Sequence, residues 1–146
     1  MFRMTIGAAA LALLAACGNS APPQFVASDA YVRQPLIGRD VTAAYLTVTS
    51  NVESPAQVIA VSSPQSTSAE MHSHAMEDGL MRMRKVDTLS IPSSGSLVLE
   101  PMGDHLMLFG IEEDLVEGDI VSIVMTVTVD GQVQELTFDA PVRAIN

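Results

Sequence analysis

Only three histidines occur in the 146 residues, and each stands among methionines. Residues 71–85 read MHSHAMEDGLMRMRK, which gathers His72 and His74 with Met71, Met76, Met81 and Met83 around one turn. Residues 101–109 read PMGDHLMLF and set His105 beside Met102 and Met107. Methionine alone signals little, since filling core gaps is its commoner role. Its clustering with every histidine of the chain is what points to chemistry. Imidazole and thioether donors without a thiolate form a soft set that suits Cu(I), and that tolerates Cu(II) when water or a further nitrogen joins. Zinc prefers thiolate, imidazole and carboxylate. Calcium and magnesium need oxygen cages, and the acidic residues here lack EF-hand spacing. A blue-copper electron-transfer site requires a cysteine thiolate, and the single cysteine of the chain, Cys17, lies far from both segments.

Strand parity decides which of these side chains can meet, because successive side chains on a strand point to opposite faces. On 69–76, Glu70, His72, His74 and Met76 share a face. On 80–85, Met81, Met83 and Lys85 do so. On 105–110, His105, Met107 and Phe109 share one face and leave Leu106 and Leu108 to the other. If 71–85 is a hairpin, a turn at Glu77-Asp78 sets His72 opposite Met83. A turn at Asp78-Gly79 sets His74 opposite Met83, with His72 diagonal to it. Asp-Gly is the better turn dipeptide, so turn chemistry leans toward His74. Both registers bring a histidine and Met83 to one face.

The elements that would position these residues are short apolar and β-branched runs at about 25–33, 41–50, 56–62, 68–76, 80–86, 88–91, 96–100, 105–110, 119–129 and 132–140. Gly38, Ser54-Pro55, Asp78-Gly79, Ser93-Ser94-Gly95, Pro101-Met102-Gly103 and Asp130-Gly131 separate them. Many short strands at this spacing predict an all-β sandwich or barrel. The clearest hairpin is 121–140, folded at Asp130-Gly131.

Residues 1–16 carry Arg3, an apolar run and then small residues, the pattern of a secretory signal peptide. Leu14-Ala15-Ala16-Cys17 resembles a bacterial lipobox, which implies lipidation of Cys17 and membrane anchoring. Gly18 is not the aspartate that typically retains lipoproteins at the inner membrane, so an outer membrane is expected where one exists. Residues 17–24 then form the lipidated cysteine and a polar tether, and 25–146 the folded domain. The formal charge of −10 becomes −11 once Arg3 is removed, which argues against binding nucleic acid or anionic lipid by charge. With Cys17 lipidated, no disulfide staples the fold. There is no Gly-x-Ser-x-Gly elbow, catalytic cysteine or glycine-rich phosphate loop, so an enzyme is not expected.

The sequence resembles the periplasmic copper chaperones of the PCuAC family. Their motif is His or Met, ten residues, Met, twenty-one residues, His, one residue, Met. His72, Met83, His105 and Met107 fit all three spacings, within EMHSHAMEDGLMRMRKVDTLSIP at 70–92 and LEPMGDHLMLFGI at 99–111. AAYLTVTSN at 43–51, VEGDIV at 116–121 and Pro141-Val142 match as well, so the likeness covers nearly all of 25–143. The resemblance implies a cupredoxin-like Greek-key β-sandwich with a Cu(I) site of two His and two Met, and it selects His72 over His74. His74, Met76, Met81 and Met102 remain as auxiliary soft donors. It also implies copper delivery toward cytochrome oxidase assembly, with oxidase subunit II or a Sco-type protein as acceptor and the chaperone acting as a monomer. In the family Gly-Gly usually precedes the second histidine segment, whereas Met102-Gly103 stands here. A copper storage or resistance lipoprotein and a metal-free structural sandwich are the rival functions.

Overall fold

Alternating buried and exposed residues organise residues 21–144, the part of the chain that the computed structural model describes. Cys17 and the signal-like segment lie outside it. Ten strands follow in order: β1 (Phe25–Arg33), β2 (Val41–Ser50), β3 (Ala56–Ser62), β4 (Ser66–Glu77), β5 (Leu80–Val86), β6 (Leu89–Ile91), β7 (Ser96–Leu99), β8 (His105–Ile111), β9 (Ile120–Val129) and β10 (Gln132–Arg143). These are the runs expected from sequence, with the largest differences at β4 and β10. β4 is longer because it pairs on both sides, with β5 and with β8. β10 continues past Ala140 because its end pairs in parallel with β1, at Val32↔Val142 and Arg33↔Arg143.

That short parallel contact joins two layers. One is β5-β4-β8-β2-β1 and the other β10-β9-β3-β6. β7 and β8 lie end to end along one edge of β2, with β8 on Val41–Ala44 and β7 on Leu46–Thr49. The loop 100–104 between them therefore crosses the face of the first layer. Spatial neighbours are mostly not sequence neighbours, and the whole is a cupredoxin-like Greek-key β-sandwich. Its core takes Val32, Val48, Leu106 and Leu108 from the first layer and Val58, Ile123, Met125 and Val127 from the second, all fully buried. Met125, and Met71 from β4, are thus gap-filling methionines, as the residue's usual role would have it.

Two local features fix the faces. A β-bulge shifts the β1–β2 register between Ser28 and Tyr31, with Asp29 at φ 53°. The extra residue re-aims the end of β1, so that Val32 is buried in the core while Tyr31 pairs with Tyr45 on the opposite, outer face. The β4–β5 hairpin turns at Asp78-Gly79, with φ 50° and 76°, the two positive angles of a type I′ turn.

Gly110 near the end of β8 also has a positive φ, 66°, and a Cβ there would run into the Thr67 side chain. The Thr67 hydroxyl donates to the Gly110 carbonyl at 3.1 Å, closing the far end of the β4–β8 pairing. Gly110→Ala combines a left-handed backbone with a steric clash, and should lower unfolding free energy by about 2–3 kcal/mol in urea titrations.

Candidate metal centre

The burial of Leu106 and Leu108 turns His105, Met107 and Phe109 to the outer face of β8. β4 lies beside it in antiparallel register, with His72↔His105 and Glu70↔Met107. On the other side of β4 the pairs are His72↔Lys85, His74↔Met83 and Met76↔Met81. The Asp78-Gly79 register is therefore the one adopted, and turn chemistry read it correctly. His72 is directly opposite His105 rather than Met83, and all three histidines share one face. Their rings lie close: 5.7 Å between the centroids of His72 and His105, and 5.3 Å between those of His74 and His105.

Hydrogen bonds set the state of each ring. A carbonyl oxygen only accepts, so Nδ1 of His105 donates to the Gly103 carbonyl at 2.9 Å. Nδ1 of His74 donates to the same oxygen at 3.0 Å. In the neutral ring each then keeps its lone pair on Nε2. His105 Nε2 faces Met83 Sδ at 3.2 Å. With no proton between them, two lone pairs confront each other. A cation bound at about 2.0 Å from nitrogen and about 2.3 Å from sulfur would make the same contact one edge of its coordination shell.

His72 is tied differently. Its Nε2 donates to the Glu70 carboxylate at 2.8 Å, and Lys85 Nζ donates to the other oxygen of Glu70 at 3.0 Å. Nδ1 of His72 is buried and has no hydrogen-bond partner among the described residues. A carboxylate holding one ring nitrogen while the other stays free is the arrangement that orients metal-binding imidazoles. A buried polar atom without a partner is otherwise costly. Among the described residues no three His, Cys, Asp or Glu side chains are grouped to hold a metal by themselves, and the further soft donors lining this face are Met83 and Met107.

A cavity of about 340 Å³ opens over this face, lined among others by His74, Met83, His105, Met107, Tyr45 and Met102. His72 lies beside it and is 9% exposed, His105 is 4% exposed, and Met83 is half exposed. Tyr45 packs against His105 with ring centroids 6.2 Å apart, and Tyr31 against Tyr45 at 5.1 Å. The loop carrying Gly103 forms the rim. Met102 there adopts φ 67°, a left-handed conformation that suits glycine, and its side chain is 71% exposed.

Of the four residues that the resemblance selected, the structure puts His105 against Met83 and opposite His72, and Met107 one same-face position along β8, while His74 rather than His72 is the residue opposite Met83. Met76 and Met81 stand one pair further along the hairpin. The Gly103 carbonyl, the Glu70–His72 bond and the Tyr31–Tyr45 pair were not anticipated. Glu70 did carry a signal, since parity places it beside His72.

The fold and site define a cupredoxin-like sandwich with a histidine–methionine cluster on one outer sheet face. A family model described as "Putative lipoprotein LpqE-like" matches residues 26–142, and the chain belongs to that family. A curated relative, the "Putative lipoprotein Lxx21020" of Leifsonia xyli subsp. xyli, is 28% identical over 89 residues, 60% of this chain. The match spans 54% of that relative, about half its length. Among solved structures, the copper-bound PCuAC domain from PmoF2 superposes with a TM-score of 0.69 at 21% identity, covering 86% of this chain and 97% of that one. The solution structure of CuI-DR1885 from Deinococcus radiodurans gives 0.65 at 32% identity, covering 87% and 83%.

Burial holds the His105 pKa below the ordinary histidine value of 6.5, against the opposing pull of the Gly103 carbonyl. The native state therefore binds fewer protons than the unfolded chain as pH falls through that range. This contribution to stability is complete above 6.5 and is lost as pH drops through the lower folded value. Glu70, held below 4.5 by the His72 bond and then by Lys85, works in the same direction at lower pH. Urea midpoints of the metal-free chain should fall between about pH 7 and about pH 5, and the His105 imidazole should titrate below 6.5 by NMR. Met102→Gly should raise stability by about 0.5–1 kcal/mol in the same assay, by relieving the left-handed backbone.

Proposed function

We propose that this chain is a Cu(I)-binding lipoprotein, anchored through Cys17 on the outer side of the cytoplasmic membrane or at an outer membrane, that hands copper to an acceptor protein. The observation that carries the reading is His105 Nε2 facing Met83 Sδ at 3.2 Å while Nδ1 is committed to the Gly103 carbonyl. Met107, on the same face of β8, supplies a second thioether. His72 supplies the second imidazole through Nδ1, with Glu70 fixing its tautomer. A donor set of neutral nitrogens and thioethers favours Cu(I) over harder ions. The solution structure of CuI-DR1885, a Cu(I) form at 32% identity, supports the same metal.

Copper is cargo here, so release matters as much as binding. Thioethers are neutral and exchange more readily than thiolates. Met83 is half exposed, which lets an incoming ligand bind before it departs. The acceptor is a copper site in the cell envelope, of the kind offered by cytochrome oxidase subunit II or a Sco-type assembly protein. Tethering by lipid makes this chain a fixed donor rather than a diffusing shuttle. The role is transfer without chemical turnover, and the chain is not an enzyme.

Competition with a chromogenic Cu(I) chelator tests the site. Met83→Leu and His105→Ala should each weaken the tightest Cu(I) by at least about tenfold, as should His72→Ala, relative to the wild type. Unchanged affinity in the first two variants would refute the assignment. X-ray absorption of the loaded chain should show both sulfur and nitrogen around copper. Transfer to an apo oxidase copper domain, followed by its absorption spectrum, tests delivery.

A further inference from the structure

The hairpin β4–β5 carries more soft donors than one copper ion needs. Met76 and Met81 are directly opposite each other, one pair beyond His74 and Met83 on the same face. They are 66% and 50% exposed, so neither is doing core work. The reverse face of the hairpin is of different character. There Glu77 accepts from Arg84 at 2.6 and 3.0 Å, with Arg82 nearby at 3.7 Å. At the tip the hairpin thus sets the Glu77–arginine cluster on one face and thioethers and imidazole on the other, where the Lys85–Glu70 pair lies two same-face positions back toward β8.

His74 completes the set. Its Nδ1 is held by the Gly103 carbonyl, so its available lone pair is on Nε2, and the proposed copper site uses His72 instead. Cross-strand neighbours have Cβ atoms about 5 Å apart, and the next pair along the same face is about 7 Å away. Methionine side chains, with three rotatable bonds, span such gaps easily. We propose that His74, Met76 and Met81 form a second soft-metal site, a landing position for Cu(I) at the hairpin tip, adjoining the buried site through Met83. Its exposure suits acquisition, and its position gives a path inward: a metal held by His74 and Met81 needs only to exchange onto Met83 to reach His105. Copper stays Cu(I) throughout, and only ligand bonds are exchanged.

This inference rests on the copper-binding reading, and the test separates the two. The full chain, labelled with 13C at methionine methyl groups, is titrated with Ag(I) as a redox-inert stand-in for Cu(I). The first equivalent should move the Met83 and Met107 methyl signals, and the second those of Met76 and Met81. The double variant Met76→Leu/Met81→Leu, conservative and on the surface, should cut the stoichiometry from two to one and leave the first-equivalent shifts intact. His74→Ala should weaken the second equivalent by at least about tenfold and spare the first. Silent Met76 and Met81 methyls at two equivalents would overturn the second site. So would their movement together with Met83 in the first equivalent, or loss of the first equivalent in His74→Ala. Silence of Met83 and Met107 would instead overturn the buried site, whatever the hairpin tip does.

Discussion

Leu106 and Leu108 lie fully buried between the two layers, and on a strand of period two their burial leaves the flanking residues no choice of direction. His105 and Met107 must face outward. β4 is registered against β8 by the same logic, with Met71 buried opposite Leu106 and His72 opposite His105. A slip of one residue would turn an imidazole from the outer face into the apolar core, and turn Met71 on β4 or Leu106 and Leu108 on β8 out of it. The donor cluster is therefore held by apolar packing behind it, and its positions are as firm as the core.

The three histidines share a face but not a role. The Gly103 carbonyl commits His74 and His105 to one tautomer, while Glu70 commits His72 to the other. Each ring keeps one nitrogen free, and in His72 that nitrogen is buried. The loop 100–104 can serve two rings at once because β7 and β8 sit end to end on β2, which brings their connection across the sheet face. Strand order thus reaches through a single carbonyl into the chemistry of the site.

Much of this was legible in the sequence. Alternation and turn dipeptides indicated ten strands, and of the two hairpin registers left open Asp78-Gly79 leaned toward the one adopted. The sharing of one face by His105, Met107 and the hairpin donors followed from parity. The contacts that followed from strand order across the sandwich were not legible: His72 opposite His105, the parallel meeting of β1 with β10, and Gly103 beneath two rings. Such pairings join residues tens of positions apart, and no local pattern specifies them. The bulge at Asp29 was hidden for another reason, since Ser-Asp-Ala carries no strong turn signal, yet it alone turns Tyr31 toward Tyr45. The glycine that the resemblance expected at residue 102 has a physical cause in the left-handed backbone there, which Met102 occupies at a cost.

Among the described residues β5 is the last strand of its layer, and no strand pairs with its outer edge. An edge strand bearing apolar side chains is an invitation to another chain, because its free N–H and C=O groups can continue the sheet. Leu80, Met81 and Met83 are all exposed there. Between and beside the methionines stand Arg82, Arg84 and Lys85. Arg82 and Arg84 share Glu77 and Lys85 holds Glu70, so a second copy brought to this edge would have to crowd or desolvate charged, ion-paired side chains. Charged side chains are what discourages such pairing on an edge strand, so β5 carries Met81 and Met83 on one face and, in Arg82 and Arg84 on the other, the groups that let it remain an edge.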